Sequence, residues 1–416
     1  MRLLHTSDWH LGQTLHNHER FYEHQRFLDW LLDTLVLEKA DVLLVAGDVF
    51  DNANPSAQSQ RQLYRFLQQA RRRAPGLNLV VIAGNHDSAG RLEAPAPLLE
   101  AHDTHVIGHV LRDDAGEIDV ERLVLPLKNA DGEIGAWCLA VPFLRPGDVP
   151  RTEGAPAGDE RGDPYLNGIA LLYAQALELA LTKRQSGQAI LAMGHCHMVG
   201  GEMSNDSERR IVVGGTEMLP SGIFAPEIAY AALGHLHLAQ AVGKQEHIRY
   251  SGSPIPLSFA EVGYRHQVLR IDLDGEKIRE IVALPVPRAV ELLRIPARPA
   301  LLDNVLAALA ALPDSASPPT FEEQQRLPLL EVRVLLDAPE PGLRARIEAA
   351  LENKAVRLAK IETSSARRAD TLETAVMTLD QLDKLQPADI FQQLYRQRYG
   401  SDAPPDQASA FAELLV

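Results

Sequence analysis

Leu79-Val80-Val81-Ile82-Ala83-Gly84-Asn85-His86-Asp87 is the stretch that decides the fold. An apolar run ends in glycine, and residue types that hold metal ions follow. Buried strands of α/β proteins read as continuous apolar runs rather than as alternation. Glycine lets the backbone leave a strand sharply and approach a ligand closely. The same pattern recurs along the chain. Val42–Ala46 precedes Gly47-Asp48, Ala189–Met193 precedes Gly194-His195, and Tyr230–Leu233 precedes Gly234-His235-Leu236-His237. The N-terminal run ends in Asp8-Trp9-His10. In open α/β sheets ligands collect beyond the carboxyl ends of the strands. Five strands are therefore expected to bring their loops to one place.

That place holds Asp8, His10, Asp48, Asn85, His195, His235 and His237. Oxygen and imidazole donors without thiolate suit Mn²⁺, Fe²⁺, Mg²⁺ or Zn²⁺. Seven ligands are too many for one ion. If Asp48 bridges, each of two ions receives four protein ligands, with room left for water and substrate. Two-metal sites, with ions roughly 3.5–4 Å apart, clamp the attacking and leaving oxygens of a phosphoryl displacement. His86 is then left over beside Asn85, as a group that can stabilise the transition state or protonate the leaving oxygen. Asp87 is expected to orient it. His197 and Cys196, next to His195, are read as a non-ligand and a small buried filler.

Outward from these motifs the first ~280 residues alternate apolar runs with helical periods, an α/β pattern. Helices are expected over 19–37, 57–73 and 166–184, and a hairpin over 122–127 and 134–141 around Asn129-Ala130-Asp131-Gly132. Residues 150–164 read as a mobile loop. After Pro285 and Pro287 the composition changes. Residues 289–362 read as strand, helix, strand, helix, strand, with strands at 290–295, 329–335 and 356–361 and helices at 301–312 and 342–353. Two short helices, 388–399 and 406–415, close the chain. The domains expected are thus 1–285, 286–365 and 366–416, in line with roughly 150 residues per domain for 416 residues.

Composition narrows the function. With 45% hydrophobic and 23% charged residues the chain has enough apolar material for a core, so it is not disordered as a whole. A net charge of −15 argues against coating nucleic acid by bulk positive charge. It leaves open a local site charged by metal ions, since two divalent ions bring more positive charge than Asp8 and Asp48 return. Two cysteines, Cys138 and Cys196, build no disulfide framework, which points to a reducing cytoplasm. No secretory leader and no run of roughly 20 apolar residues is visible, so no membrane span is expected.

Taken in order, Asp8-Trp9-His10, Gly47-Asp48-Val49-Phe50-Asp51, Gly84-Asn85-His86-Asp87, Gly194-His195 and Gly234-His235-Leu236-His237 resemble the calcineurin-like metallophosphoesterases. Thr6–Gly12, Tyr250–Phe259 and Asp389-Ile390-Phe391 through Tyr399-Gly400 extend the resemblance to the SbcD family, the nuclease subunits of bacterial SbcCD complexes. The resemblance implies a two-sheet sandwich flanked by helices, plus a small α/β capping domain and C-terminal helices. It implies Asp8, His10, Asp48 and His237 on one ion, Asp48, Asn85, His195 and His235 on the other, and His86 as the catalytic histidine. Archaeal relatives have a second histidine where this chain has Asp51. The family implies hydrolysis of DNA at duplex ends and in single strands or hairpins, in repair and recombination. It also implies an SbcC-type coiled-coil ATPase partner, docked by the C-terminal helices, and a homodimer formed near the helix 57–73. Two alternatives remain: a phosphatase of the same superfamily, acting on small molecules or phosphoproteins, and a scaffold without catalysis. The C-terminal 130 residues weigh against the first, and the complete ligand set with His86 weighs against the second.

Overall fold

The structure is a computed structural model, and it describes residues 1–99, 103–150, 163–202, 218–315, 317–337 and 340–365. Towards the C-terminus it describes Phe391, Gln392, Tyr395, Arg396, Pro404, Gln407 and Phe411.

The apolar runs become the parallel strands of two six-stranded sheets. In the first, Arg2–Thr6, Val42–Ala46, Asn78–Ile82 and Thr104–Ile107 run parallel. Gln267–Asp274 returns antiparallel beside Arg2–Thr6, and Lys277–Pro285 forms the edge. In the second, Ile134–Ala140, Ala189–His195, Ile228–Gly234 and Gln245–Tyr250 run parallel. Val124–Lys128 and Gln240–Val242 are its antiparallel edges.

Each parallel strand at the centre of the first sheet is buried on both faces, which is why it reads as an unbroken apolar run. Leu3, Val42, Leu44, Ala46, Val80 and Ile82 point one way, into a core shared with Leu139, Ile190, Ala192 and Ala231 of the second sheet. Leu4, Leu43, Val45, Leu79 and Val81 point the other way, onto Phe27, Leu28 and Leu31 of the helix Phe21–Leu37. Leu63, Phe66, Leu67 and Ala70 of the helix Ala57–Arg73 complete that second core. Their apolar stripe is therefore spent inside the molecule and is no dimer face. Two of the arginines that end the helix are satisfied within the chain: Arg71 donates to the carbonyl of Leu77, and Arg73 to Asp33 at 2.7 Å.

The hairpin and the long helix form where the sequence places them. Asn129 Oδ1 accepts from the amides of Asp131 and Glu133, both at 3.0 Å, and so closes the turn. Asp163 caps the helix Pro164–Lys183 by accepting from Tyr165 N at 2.8 Å. Most of the expected mobile loop, residues 151–162, lies outside the described residues.

After residue 286 a three-stranded sheet forms, in the order Leu292–Leu301, Leu329–Leu336, Arg357–Ser365. The first strand starts and ends later than expected and carries Pro296 and Pro299. An edge strand tolerates proline, because one side of its backbone needs no ladder. A helix at Phe321–Arg326 was not expected, although Thr320 and Glu323 form the capping box that signals it. Residues Met1–Val334 and Pro341–Thr363 form one compact unit. Packing draws no line at 286. Leu15, Phe259, Val290, Leu292 and Leu329 share a buried cluster, and Arg288 donates to the Val262 carbonyl at 3.0 Å. A second unit comprises Leu335–Glu340 and Ser364–Val416. Of the two expected terminal helices, described residues include Phe391 and Phe411, whose rings stack with centroids 4.3 Å apart. Ile390, Leu394, Leu414 and Leu415 lie outside the described residues.

Candidate metal centre

Five parallel strands from the two sheets deliver their loops to one site. Asp8 and His10 follow Arg2–Thr6, Asp48 follows Val42–Ala46, and Asn85 and His86 follow Asn78–Ile82. His195 ends its own strand, and His235 and His237 follow Ile228–Gly234. Asp8, His10, Asp48, His195, His235 and His237 are buried, while Asn85 and His86 are half-buried.

The turns that aim these side chains are strained. Asp8, His10, Asp48 and His235 have φ of 54°, 46°, 47° and 106°. Left-handed backbone at non-glycine residues costs of order 1–3 kcal/mol each and collects at functional sites. The glycines before the ligands serve crowding as well as turning. A Cβ on Gly234 would lie 1.9 Å from the Ala46 carbonyl oxygen, and one on Gly84 would lie 2.1 Å from Asp48 Oδ1. One on Gly47, at φ +87°, would lie 2.3 Å from His195 Nδ1. Gly234→Ala is expected to destabilise the fold by about 2–3 kcal/mol through overpacking. Thermal denaturation measures this, and an unchanged midpoint would mean the two sheets approach less closely than described.

The donors converge on Asp48. Its Oδ2 lies 3.5 Å from His10 Nε2 and 3.4 Å from His195 Nε2, and its Oδ1 accepts from the amide of His86 at 2.9 Å. Asn85 Oδ1 sits 2.9 Å from His195 Nε2 and 3.2 Å from His235 Nδ1. Asp8 accepts from Ser7 Oγ at 2.6 Å and from the amide of His235 at 3.0 Å. Burial alone would raise the Asp48 carboxyl, but His195 and His10 outweigh it and hold it far below the usual range. Burial alone would lower His195, but Asp48 outweighs it and pushes it up to about 9. Asp8 is raised, chiefly by burial.

This arrangement fits divalent ions. Ligand atoms of Asp8, His10 and His237 lie within 4.8 Å of one another, as do those of Asp8, Asp48 and His195. His10 Nε2 is buried and makes no hydrogen bond. A buried nitrogen left so costs about 1–3 kcal/mol unless something accepts its lone pair or proton. Asp8 and Asp48 supply the hard anionic oxygens, and Asp48 belongs to clusters on both sides. A ring nitrogen of His86 also comes within 4.8 Å of His10 and Asp48, so distance alone admits it beside the ligands.

The Asp87 carboxylate, expected to orient the His86 ring, accepts from the amides of Phe50 at 2.9 Å, Val49 at 3.1 Å and Gly84 at 2.9 Å. It staples the Asp48 turn to the Asn85 turn, and burial and nearby Asp48 push it up to about 6. The His86 ring has a backbone partner: its Nδ1 lies 2.7 Å from the Asp51 carbonyl oxygen. The Asp51 carboxylate is 3.3 Å from His10 Nδ1. Thus Asp51 supports two site histidines, a role its position gave no means of reading. Glu261, on His237, was missed for the same reason. The ring of His197 lies 6.2 Å from that of His235, and neither histidine belongs to the clusters found among the described residues; His235 meets the site through Asn85.

Residues 1–239 match the family described as Calcineurin-like phosphoesterase, and residues 288–399 match the Type 5 capsule protein repressor C-terminal domain. The chain is 40% identical over 395 residues to the D component of the SbcCD nuclease from Rhodobacter capsulatus, covering 94% of this chain and 93% of that one. It is 34% identical over 400 residues to the protein of that name from Escherichia coli K12, covering 94% and 92%. The Bacillus subtilis protein of that name is 34% identical over 281 residues, or 65% of this chain and 66% of that one. With this likeness over nearly its whole length, and with carboxylates and histidines gathered at the strand ends, the chain belongs to the calcineurin-like phosphoesterases and, among them, to the SbcD family of SbcCD nuclease subunits.

Proposed function

We propose that this protein is a metal-dependent nuclease that hydrolyses DNA phosphodiesters, at duplex ends and in single strands or hairpins, in repair and recombination. The observation that carries the reading is the gathering of Asp8, His10, Asp48, Asn85, His195, His235 and His237 at the ends of five strands. Asp8, His10, Asp48 and His237 would hold one ion, and Asp48, Asn85, His195 and His235 the other, with Mn²⁺ as the expected metal. When bound, two such ions offset phosphate charge and lower the pKa of water to near neutrality. The chain's own residues do the rest. Asp48 fixes the spacing of the two halves of the site, because one oxygen faces His10 and His195 while the other is tied to the His86 amide. His86 donates from Nδ1 to the Asp51 carbonyl, and in its protonated, imidazolium form would give the Nε2 proton to the departing oxygen.

An acidic chain gains little affinity for duplex DNA from its own charge. This supports a DNA surface shared with an SbcC-type coiled-coil ATPase, the other component that the name of the SbcCD relatives implies. We assign the docking to residues 366–416, the nuclease chemistry to 1–285 and the cap to 286–365. A homodimer belongs to the same reading, through a surface other than the buried stripe of Ala57–Arg73. Both cysteines are free, which suits a cytoplasmic protein, and no described helix is long and apolar enough to cross a membrane. The test is digestion of labelled linear duplex and hairpin DNA by the purified chain with Mn²⁺, with and without the ATPase. Cleavage of the hairpin by the chain alone and ATP-stimulated duplex digestion by the pair are expected. Turnover of small phosphate esters with intact DNA would replace this reading by a phosphatase.

A further inference from the structure

Glu261 lies in the short helical turn Phe259–Gly263 and is completely buried. A buried carboxylate persists only where partners compensate its lost hydration. Both of its oxygens have one: Oε1 lies 2.9 Å from His237 Nδ1, and Oε2 accepts from the Leu257 amide at 2.7 Å. The first contact leaves Nε2 of His237 as the atom for Asp8 and His10 to face. The second ties the same carboxylate to the segment before it, and Phe259 packs with Val290, Leu292 and Leu329.

We propose that Glu261 is a positioning residue of the metal centre, which fixes the tautomer and orientation of His237 and thereby the affinity of one of the two ions. The inference rests on His237 being a metal ligand. A carboxylate on the far nitrogen of a ligating imidazole raises its basicity, and losing it typically costs 10–100-fold in metal affinity. The two halves of the site differ in this respect. His237 has Glu261 and His10 has the Asp51 carboxylate at 3.3 Å, whereas Nδ1 of His195 meets the Ala46 carbonyl, at 2.9 Å. The ion held by Asp8, His10, Asp48 and His237 is therefore the tighter one, and it is the one that depends on Glu261.

The experiment is calorimetric titration of the full chain with Mn²⁺, comparing wild type, Glu261→Gln and Glu261→Ala. It is paired with ¹⁵N spectra of histidine-labelled protein before metal is added. Glutamine keeps the volume, but its single acceptor oxygen can serve His237 or Leu257 and not both. Wild type should take up two ions. Glu261→Gln should bind the tighter ion about 10–100-fold more weakly, with the other unchanged. In the spectra the His237 ring should be protonated at Nδ1 in wild type and mixed between tautomers in Glu261→Ala. Wild-type affinity for both ions in Glu261→Gln, or equal weakening of both, would overturn the proposal, as would an unshifted His237 signal. Should Glu261→Ala fail to fold, the glutamine variant carries both readouts. A wild-type chain that binds no Mn²⁺ would overturn the ligand assignment as well, so the two failures are told apart.

Discussion

Asp48→Ala should leave a chain that binds neither ion firmly and cuts DNA at background, a fall of at least about 10³-fold. The size follows from position. Asp48 faces His10 and His195 with one oxygen and the His86 amide with the other, so its loss removes the proposed shared ligand and a support of the His86 turn together. The neighbouring Asp87 carboxylate, which also reaches this turn, cannot take its place, because it is engaged by three amides. Metal content by elemental analysis decides the matter. Two ions retained per chain in the variant would remove Asp48 from the bridging position.

His86→Ala separates binding from chemistry. The variant should keep both ions and lose roughly 10²–10⁴ in rate, the usual worth of a positioned acid–base group. Asp51 makes this a clean experiment, because it holds the His86 ring by a backbone carbonyl that the substitution leaves in place. Wild-type turnover on single-stranded DNA would show that His86 only lines the site. Loss of an ion would make it a ligand, which its distance to His10 and Asp48 permits.

What the sequence made legible, and what it did not, divides along physical lines. Strand ends followed by glycine and a ligand type were readable because burial on both faces writes an unbroken apolar run, as in Val42–Ala46 and Leu79–Ile82. The helix stripe Leu63, Phe66, Leu67 and Ala70 was readable as a period but not as a destination, since a core face and a dimer face share one pattern. The groups behind the ligands were not readable. Glu261 stands 24 positions from His237 and meets it only because the chain runs out through Gln240–Val242 and returns along Gln245–Tyr250. Adjacency to His86 also hid the backbone partners of Asp87, whose carboxylate the turn points at the amides of Val49 and Phe50. The left-handed backbone at Asp8, His10 and Asp48 also left no mark, for these residues are chosen as ligands and not as turn formers.

The central claim is that two ions held by these seven residues act together on a phosphodiester. Its most direct test is to strip the chain with chelator, add Mn²⁺ in known amounts, and follow cleavage of a labelled hairpin DNA against ions bound per chain. Activity should stay near background until the first ion is in place and rise as the second binds. Full cleavage with one ion bound, or with none, would contradict it.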